Sequence, residues 1–407
     1  MARNATKRRK LALNPWNPVA FCEAARTNVL TFGANGAANA TLLPLLATLI
    51  NQKTTMTSMP AANIPWTSLP KILLHEHLDG GLRPQTLLEL CAQRALTVPA
   101  GDAAGLAAWM QANANSGSLE RYLMGFGLTV AAMASIDACE RVAFEAAEDA
   151  RADGCVLAEF RMAPLLLEEY GLSGEAVVEA LIRGLQKSAL PSGLIVCAMR
   201  TDPVEKTARS ARLAAAYKDH GVIGFDLAGA ERGFPPSAHA AAFAVARDAG
   251  LGITCHAGEA DVGSRVLEAA AMGATRIGHG VKIMAAANTA EQAEWLDQAR
   301  ALNLHFEVCP TSNIHTGTAA SMAAHPLRAM AAAGLRVSIS TDNRLMSGVT
   351  LSAELQAVFE QNGVGSIQVR DMMLDAARAS FMPTPVRETA LRALGEGFKV
   401  PDVALKP

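Results

Sequence analysis

The sequence predicts an α/β protein, a (β/α)8 TIM barrel with extra helices inserted after strand 1. Three observations carry this. From Lys71 onward, eight short apolar runs alternate with longer amphipathic segments. Several of the runs are nearly continuous in Val, Ile, Leu, Phe and Cys, as strands buried on both faces are. No two-residue hairpin signal joins neighbouring runs, so successive strands pair in parallel through right-handed crossovers. Eight units is the number that closes a barrel of this kind. A doubly wound open sheet is the alternative, but no G-x-G-x-x-G follows the first run.

In chain order the runs are KILLH (71–75), CVLAEFRM (155–162), LIVCAMR (194–200), VIGFDLAG (222–229), LGITCHAG (251–258), ATRIGHG (274–280), LHFEVCP (304–310) and RVSISTD (336–342). Between them DACERVAFEAAEDARADG has apolar positions at helical spacing and a Gly stop, and SGEAVVEALIRGLQKS opens on Ser173 as a helix cap. Residues 82–152, after the first run, are long enough for several added helices. LSAELQAVFEQNG and IQVRDMMLDAARASF read as helices that complete the outer ring. The barrel domain therefore spans 61–407.

Residues 1–60 differ from the rest. The tip MARNATKRRK is basic, Glu23 is the only acid, and no helical or strand period is sustained. This part reads as an N-terminal extension, disordered or upstream of a true start at Met56 or Met59, with a transit peptide as the alternative. Its run TLLPLLATLI is too short to span a bilayer and carries a Pro.

The chain has 407 residues, of which 50% are hydrophobic and 18% charged, and a formal net charge of -2. That balance suits a globular protein with a sizeable core and leaves no global basic field for nucleic acid. A small neutral substrate fits better. Seven cysteines, an odd number without C-x-x-C spacing, suggest free thiols and a reducing, cytoplasmic location. Cys155, Cys197 and Cys255 lie inside apolar runs and read as small buried hydrophobes.

A barrel places its chemistry at the carboxyl ends of its strands. His75 and His77 end the first run, one residue apart, and so share a strand face while Glu76 points away. His256 and Glu259 end the fifth (HAGE), His279 the sixth (GHG), and Asp342 and Asn343 the eighth (STDN). Three neutral imidazoles, His75, His77 and His256, with the carboxylate of Asp342, form a donor set suited to one Zn²⁺ per chain. Such a set only partly neutralises the ion, which can bring the pKa of a held water from about 15.7 towards 7. Glu259, three residues beyond His256, is placed to face a substrate, and a dry pocket would keep it protonated and able to donate to a ring nitrogen. His279, between Gly278 and Gly280, could take a proton from the water or steady it.

In their order and separations, HEHLDG, FDLAG, HAGE, GHG, CPTSN and STD resemble the motifs of the adenosine deaminase family of metal-dependent (β/α)8 hydrolases, over nearly all of 68–400. The resemblance implies His75, His77, His256 and Asp342 as zinc ligands, Glu259 as proton donor to purine N1, and His279 and Asp342 as the groups that handle the attacking water. It further implies that His77 and Asp79 border the substrate, Asp79 meeting the ribose hydroxyls, and that the backbone of Gly229 meets N3. The reaction implied is hydrolytic deamination of adenosine and 2'-deoxyadenosine to inosine and 2'-deoxyinosine, without an organic cofactor.

One departure stands out. Where the family has two adjacent acids and then Pro, this chain reads Asp342-Asn343-Arg344. Purine N7 accepts a hydrogen bond, and the amide of Asn343 donates at any pH, so N7 recognition is expected to survive. Rival substrates are adenine, AMP and aminodeoxyfutalosine. Asp79 favours a sugar over a phosphate, which a nearby carboxylate repels. A catalytically silent nucleoside-binding barrel is the rival of another class, and the intact set of ligands with Glu259 speaks against it. His220, His239 and His325 read as structural or exposed, and His305 and His315 have no role that the sequence assigns.

Overall fold

The computed structural model describes residues 64–398; the extension expected at 1–60 lies outside them. Eight parallel strands run in the order β1 (Lys71–His77), β2 (Cys155–Met162), β3 (Ser192–Met199), β4 (Val222–Ala228), β5 (Gly252–Ala257), β6 (Arg276–His279), β7 (His305–Val308) and β8 (Arg336–Ile339). The ring closes where it matters most for the chemistry. Asp342 N–H donates to His75 O at 2.9 Å and His77 N–H donates to Asp342 O at 2.8 Å, so β8 meets β1 at the site end.

β8 stops at Ile339, three residues short of the apolar run, because the chain turns there and Asp342 takes a left-handed φ of 61°. Between β4 and β5 the pairing covers only Gly224–Gly252 and Phe225–Ile253. Above it the strands splay, and side chains bridge the gap: Arg200 donates to the carbonyls of Leu227 and His256.

The insertion after β1 forms helices Pro84–Gln93, Ala103–Ala114, Leu119–Met124, Phe126–Ala132 and Ile136–Ala152. Ser173 caps its helix by accepting from the amide of Ala176, as its sequence position predicts, and Ser135 does the same for Ala138. The segment expected as one helix over 351–363 changes its winding: an α-helix to Ala357 passes into a π-turn, Val358–Asn362, and ends at Gly363. Six cysteines among the described residues are buried and free. No helix among these residues is long and apolar enough to cross a membrane.

The amino end of the barrel is plugged. Phe381, just past the helix Ser366–Ala379, lies so close to the backbone of Gly252 that a Cβ there would come within 2.2 Å of the ring. Arg276 stacks over the same ring at 3.7 Å. Above this plug the core carries charge instead of hydrocarbon. Arg161 bonds Asp226 at 3.0 Å and Glu307 at 2.6 Å, and Arg276 bonds Glu307 at 2.5 Å and Glu159 at 2.6 Å. All five side chains are buried, so each charge has its partners where water cannot supply them.

Candidate active site

The four strand ends meet. His77 Nε2 lies 3.2 Å from His256 Nε2 and 3.6 Å from Asp342 Oδ1, and His75 Nε2 lies 3.3 Å from the same oxygen. One nitrogen each of His75, His256 and His279 and a carboxylate oxygen of Asp342 all fall within 4.8 Å of one another. That grouping contains His279 and leaves out His77, so five groups compete for the four expected positions.

Behind two of the imidazoles stand carboxylates. Glu307 lies 2.9 Å from His75 Nδ1, and Asp226 lies 3.1 Å from His256 Nδ1. A carboxylate beside Arg161 accepts, so each Nδ1 carries the hydrogen, and each Nε2 presents a lone pair to the space beside Asp342. His75 Nε2 is buried without a hydrogen-bond partner. Although burial opposes its charged form, Asp342 and Glu307 hold its pKa above the ordinary value. Positive charge is thus favoured at this nitrogen, and lone pairs converging on a carboxylate fit a divalent cation.

Asp342 accepts from Ser312 Oγ at 2.6 Å through its other oxygen. Burial opposes its ionisation, yet the surrounding imidazoles hold its pKa well below the usual carboxylate range. Glu259 behaves in the opposite way: burial, with Asp342 and Glu231 nearby, pushes its carboxyl well above that range. It accepts from Thr316 Oγ1 at 3.1 Å and lies 3.7 Å from His279 Nε2. Burial holds His77 and His279 well below the usual imidazole range, so both are neutral. His279 and Asp342 both have φ near +60°, a conformation that costs a non-glycine residue of order 1–3 kcal/mol and is tolerated where the surroundings fix a side chain's aim.

Asp79 is buried, with one carboxylate oxygen unpartnered and its pKa raised by burial to about 7. Asn343 is buried with an unpartnered Oδ1, and Gly80 leaves it room: a Cβ on Gly80 would fall 1.8 Å from that oxygen. Gly229 follows β4 with φ 96°. Beside Glu259 a cavity of about 130 Å³ is lined by Thr316, Arg232 and Lys282 and by Gly117–Glu120 of the insertion.

The family model for adenosine deaminase matches residues 70–395. The chain belongs to the adenosine deaminase family. The adenosine deaminase of Mycobacterium marinum is 38% identical over 368 residues, 86% of this chain and 98% of that one. Its counterpart in Mycobacterium tuberculosis strain H37Rv is 41% identical over 330 residues, 77% of this chain and 90% of the other. Among solved structures, an Arabidopsis N6-mAMP deaminase is similar with TM-score 0.71 and 25% identity, covering 81% of this chain and 98% of that one. An amidohydrolase from Burkholderia ambifaria, solved with bound Zn, shares the fold at TM-score 0.74 and 22% identity, over 84% of this chain and 95% of that one.

Several residues of this deaminase that matter to the site carried no role in the sequence reading. Glu307, Asp226 and Arg161 were legible only as charges stranded within apolar strands, a signal that each needs a buried partner. Glu231 accepts the backbone N–H groups of Gly258, Glu259, Ala260 and Asp261 and so fixes the loop that bears Glu259. Glu76 points away from His75 and His77, as expected, but into a buried contact with Thr341 and Arg344. Of the remaining histidines, His220 is exposed and His239 is buried against Thr207 and Arg200. His305 bonds Ser338 at 2.8 Å. His325 is buried and reaches the site through Asn313.

Proposed function

We propose that this protein hydrolyses adenosine and 2'-deoxyadenosine to inosine and 2'-deoxyinosine with release of ammonia, and that it holds one divalent ion, zinc by its donor set, on His75, His77, His256 and Asp342. The observation that carries this reading is the pairing of opposites in one dry space: lone pairs aimed at an ionised Asp342, and a protonated Glu259 beside them. A bound ion supplies Lewis acidity, which makes water a nucleophile at neutral pH.

The protein's own groups do the rest. Glu259 gives its proton to N1, which draws electrons from C6 and opens that carbon to attack by water. Loss of the amino group as ammonia then leaves the 6-oxo purine. His279 faces the attacking oxygen. The unpartnered oxygen of Asp79 suits a ribose hydroxyl, the backbone of Gly229 suits N3, and the amide nitrogen of Asn343 suits N7 as a donor. His77 borders both the ion and the sugar side. A carboxylate at Asp79 disfavours a 5'-phosphate, which ranks AMP below adenosine.

The deciding experiment follows purine absorbance with adenosine, 2'-deoxyadenosine, adenine and AMP side by side, before and after chelation. Turnover of the two nucleosides that is lost with the metal is the expected result. Ammonia from adenine or AMP alone would reassign the substrate, and binding of adenosine without turnover would make the barrel a nucleoside binder.

A further inference from the structure

Five groups surround the candidate ion position and four suffice, so the protonation of the fifth, His279, decides what it does. That protonation is set from outside the site. The backbone N–H of Leu327 donates to His325 Nδ1 at 3.1 Å. A backbone amide cannot exchange donor for acceptor, so His325 Nδ1 is an acceptor and its ring hydrogen sits on Nε2. His325 Nε2 lies 3.2 Å from Asn313 Oδ1, and Asn313 Nδ2 lies 3.0 Å from His279 Nδ1.

Each contact now has one possible direction. The N–H of His325 requires the amide oxygen opposite it, which turns the amide nitrogen to His279. That nitrogen can only donate, so His279 Nδ1 accepts, and the neutral imidazole of His279 carries its hydrogen on Nε2. His279, Asn313 and His325 are all buried, so water does not compete for these bonds. Burial also pushes the pKa of His325 down to about 4, which keeps its ring neutral.

The local sequence builds the relay. Pro326 has no N–H, so Leu327, the first residue of the helix Leu327–Ala332, presents the first free amide, which donates to the ring of His325 two residues before it. Asn362 holds the segment by donating to the carbonyls of Met322 and His325.

We infer that Asn313 and His325 are positioning residues that lock His279 as the Nε2–H tautomer, so that His279 meets the attacking water as a hydrogen-bond donor and is neither a metal ligand nor the base that deprotonates it. A nitrogen that bears hydrogen has no lone pair for an ion, which removes His279 from the five and keeps His77. The water gives up its proton to solvent before the attack. The tautomer itself does not depend on the reaction proposed above; only the kinetic part of the test rests on that reading.

The test uses metal-free protein carrying 15N in its histidine rings, with the His279 signals identified by their loss in His279→Asn. The expected wild-type spectrum shows His279 protonated at Nε2 and not at Nδ1. Asn313→Asp replaces the donor with an acceptor and should move the hydrogen to Nδ1. With metal restored, its turnover of adenosine should fall about 10²-fold or more, the scale of one lost preorganised hydrogen-bond donor, with KM changed little. His325→Gln can accept from Leu327 and donate to Asn313, and should retain the wild-type tautomer and most of the rate; His325→Leu should yield a mixed tautomer and a slow enzyme. A wild-type His279 protonated at Nδ1 would overturn the inference, as would an unchanged His279 spectrum in Asn313→Asp. If Asn313→Asp does not fold, an unchanged His279 in His325→Leu overturns it equally. A wild-type protein with the expected spectrum but no deaminase activity would refute the proposed function and leave the relay standing.

Discussion

The two ends of this barrel are built on opposite principles. At the amino end a phenyl ring rests on bare glycine backbone, with Phe381 against Gly252, and the contact is apolar and close. At the carboxyl end polar atoms are left without partners: His75 Nε2, Asp79 Oδ1 and Asn343 Oδ1 are buried and unsatisfied. One end stabilises the fold through packing, whereas the other holds polar groups ready for an ion and a substrate. Between them the charged layer of Arg161, Arg276, Asp226, Glu159 and Glu307 belongs to both, since Glu307 and Asp226 orient histidines on its upper side while Arg276 stacks on Phe381 on its lower side. Mutations should therefore separate activity from stability at the ends and couple them in the middle.

The largest effect is expected at the carboxyl end. Glu259→Gln should lower kcat by about 10²–10⁴-fold while zinc content and melting temperature stay near wild type. Retained turnover would remove Glu259 from the chemistry. In the middle layer, Glu307→Gln should weaken metal affinity about 10–100-fold and also cost about 3–5 kcal/mol of stability, because it leaves Arg161 and Arg276 short of a buried partner. Metal titration and chemical denaturation on one sample test both halves; a loss of affinity without destabilisation would break the coupling. At the amino end, Gly252→Ala should cost about 1–3 kcal/mol by crowding Phe381 and leave kcat and KM unchanged in the folded fraction.

A further effect concerns pH. Glu354 is buried near the site, accepts from the Thr311 amide at 3.1 Å, and has its pKa raised by burial to about 7. A carboxyl with a higher pKa in the folded state than in the unfolded one binds more protons when folded. Its stabilising contribution is full below the unfolded value of about 4.5 and falls as pH rises through about 7. Denaturation of Glu354→Gln across that range should show a flatter decline than wild type, and equal slopes would disprove the assignment.

The outline of the fold was readable in the sequence because its signals are local. An apolar run of strand length, a helical period and a cap such as Ser173 depend on near neighbours, and the eight strands fall within the eight runs or within two residues of them. The ends of β8 and of the segment 351–363 were not readable, since a positive φ at Asp342 and a π-turn at Val358–Asn362 answer to contacts far along the chain.

Of the site, the residue types and their strand-end positions were likewise available from the sequence alone, together with the family they resemble. What the sequence could not show is which atom of each residue faces which. Glu307 lies 232 residues from His75, and the bond between them decides which ring nitrogen keeps its lone pair. Asn313 and His325 become part of the site only when β6 and the loop after β7 lie side by side. Residue identity determines what a group can donate or accept; only tertiary packing decides which of those options remains, because in a dry interior each polar atom must take the one partner the fold puts beside it.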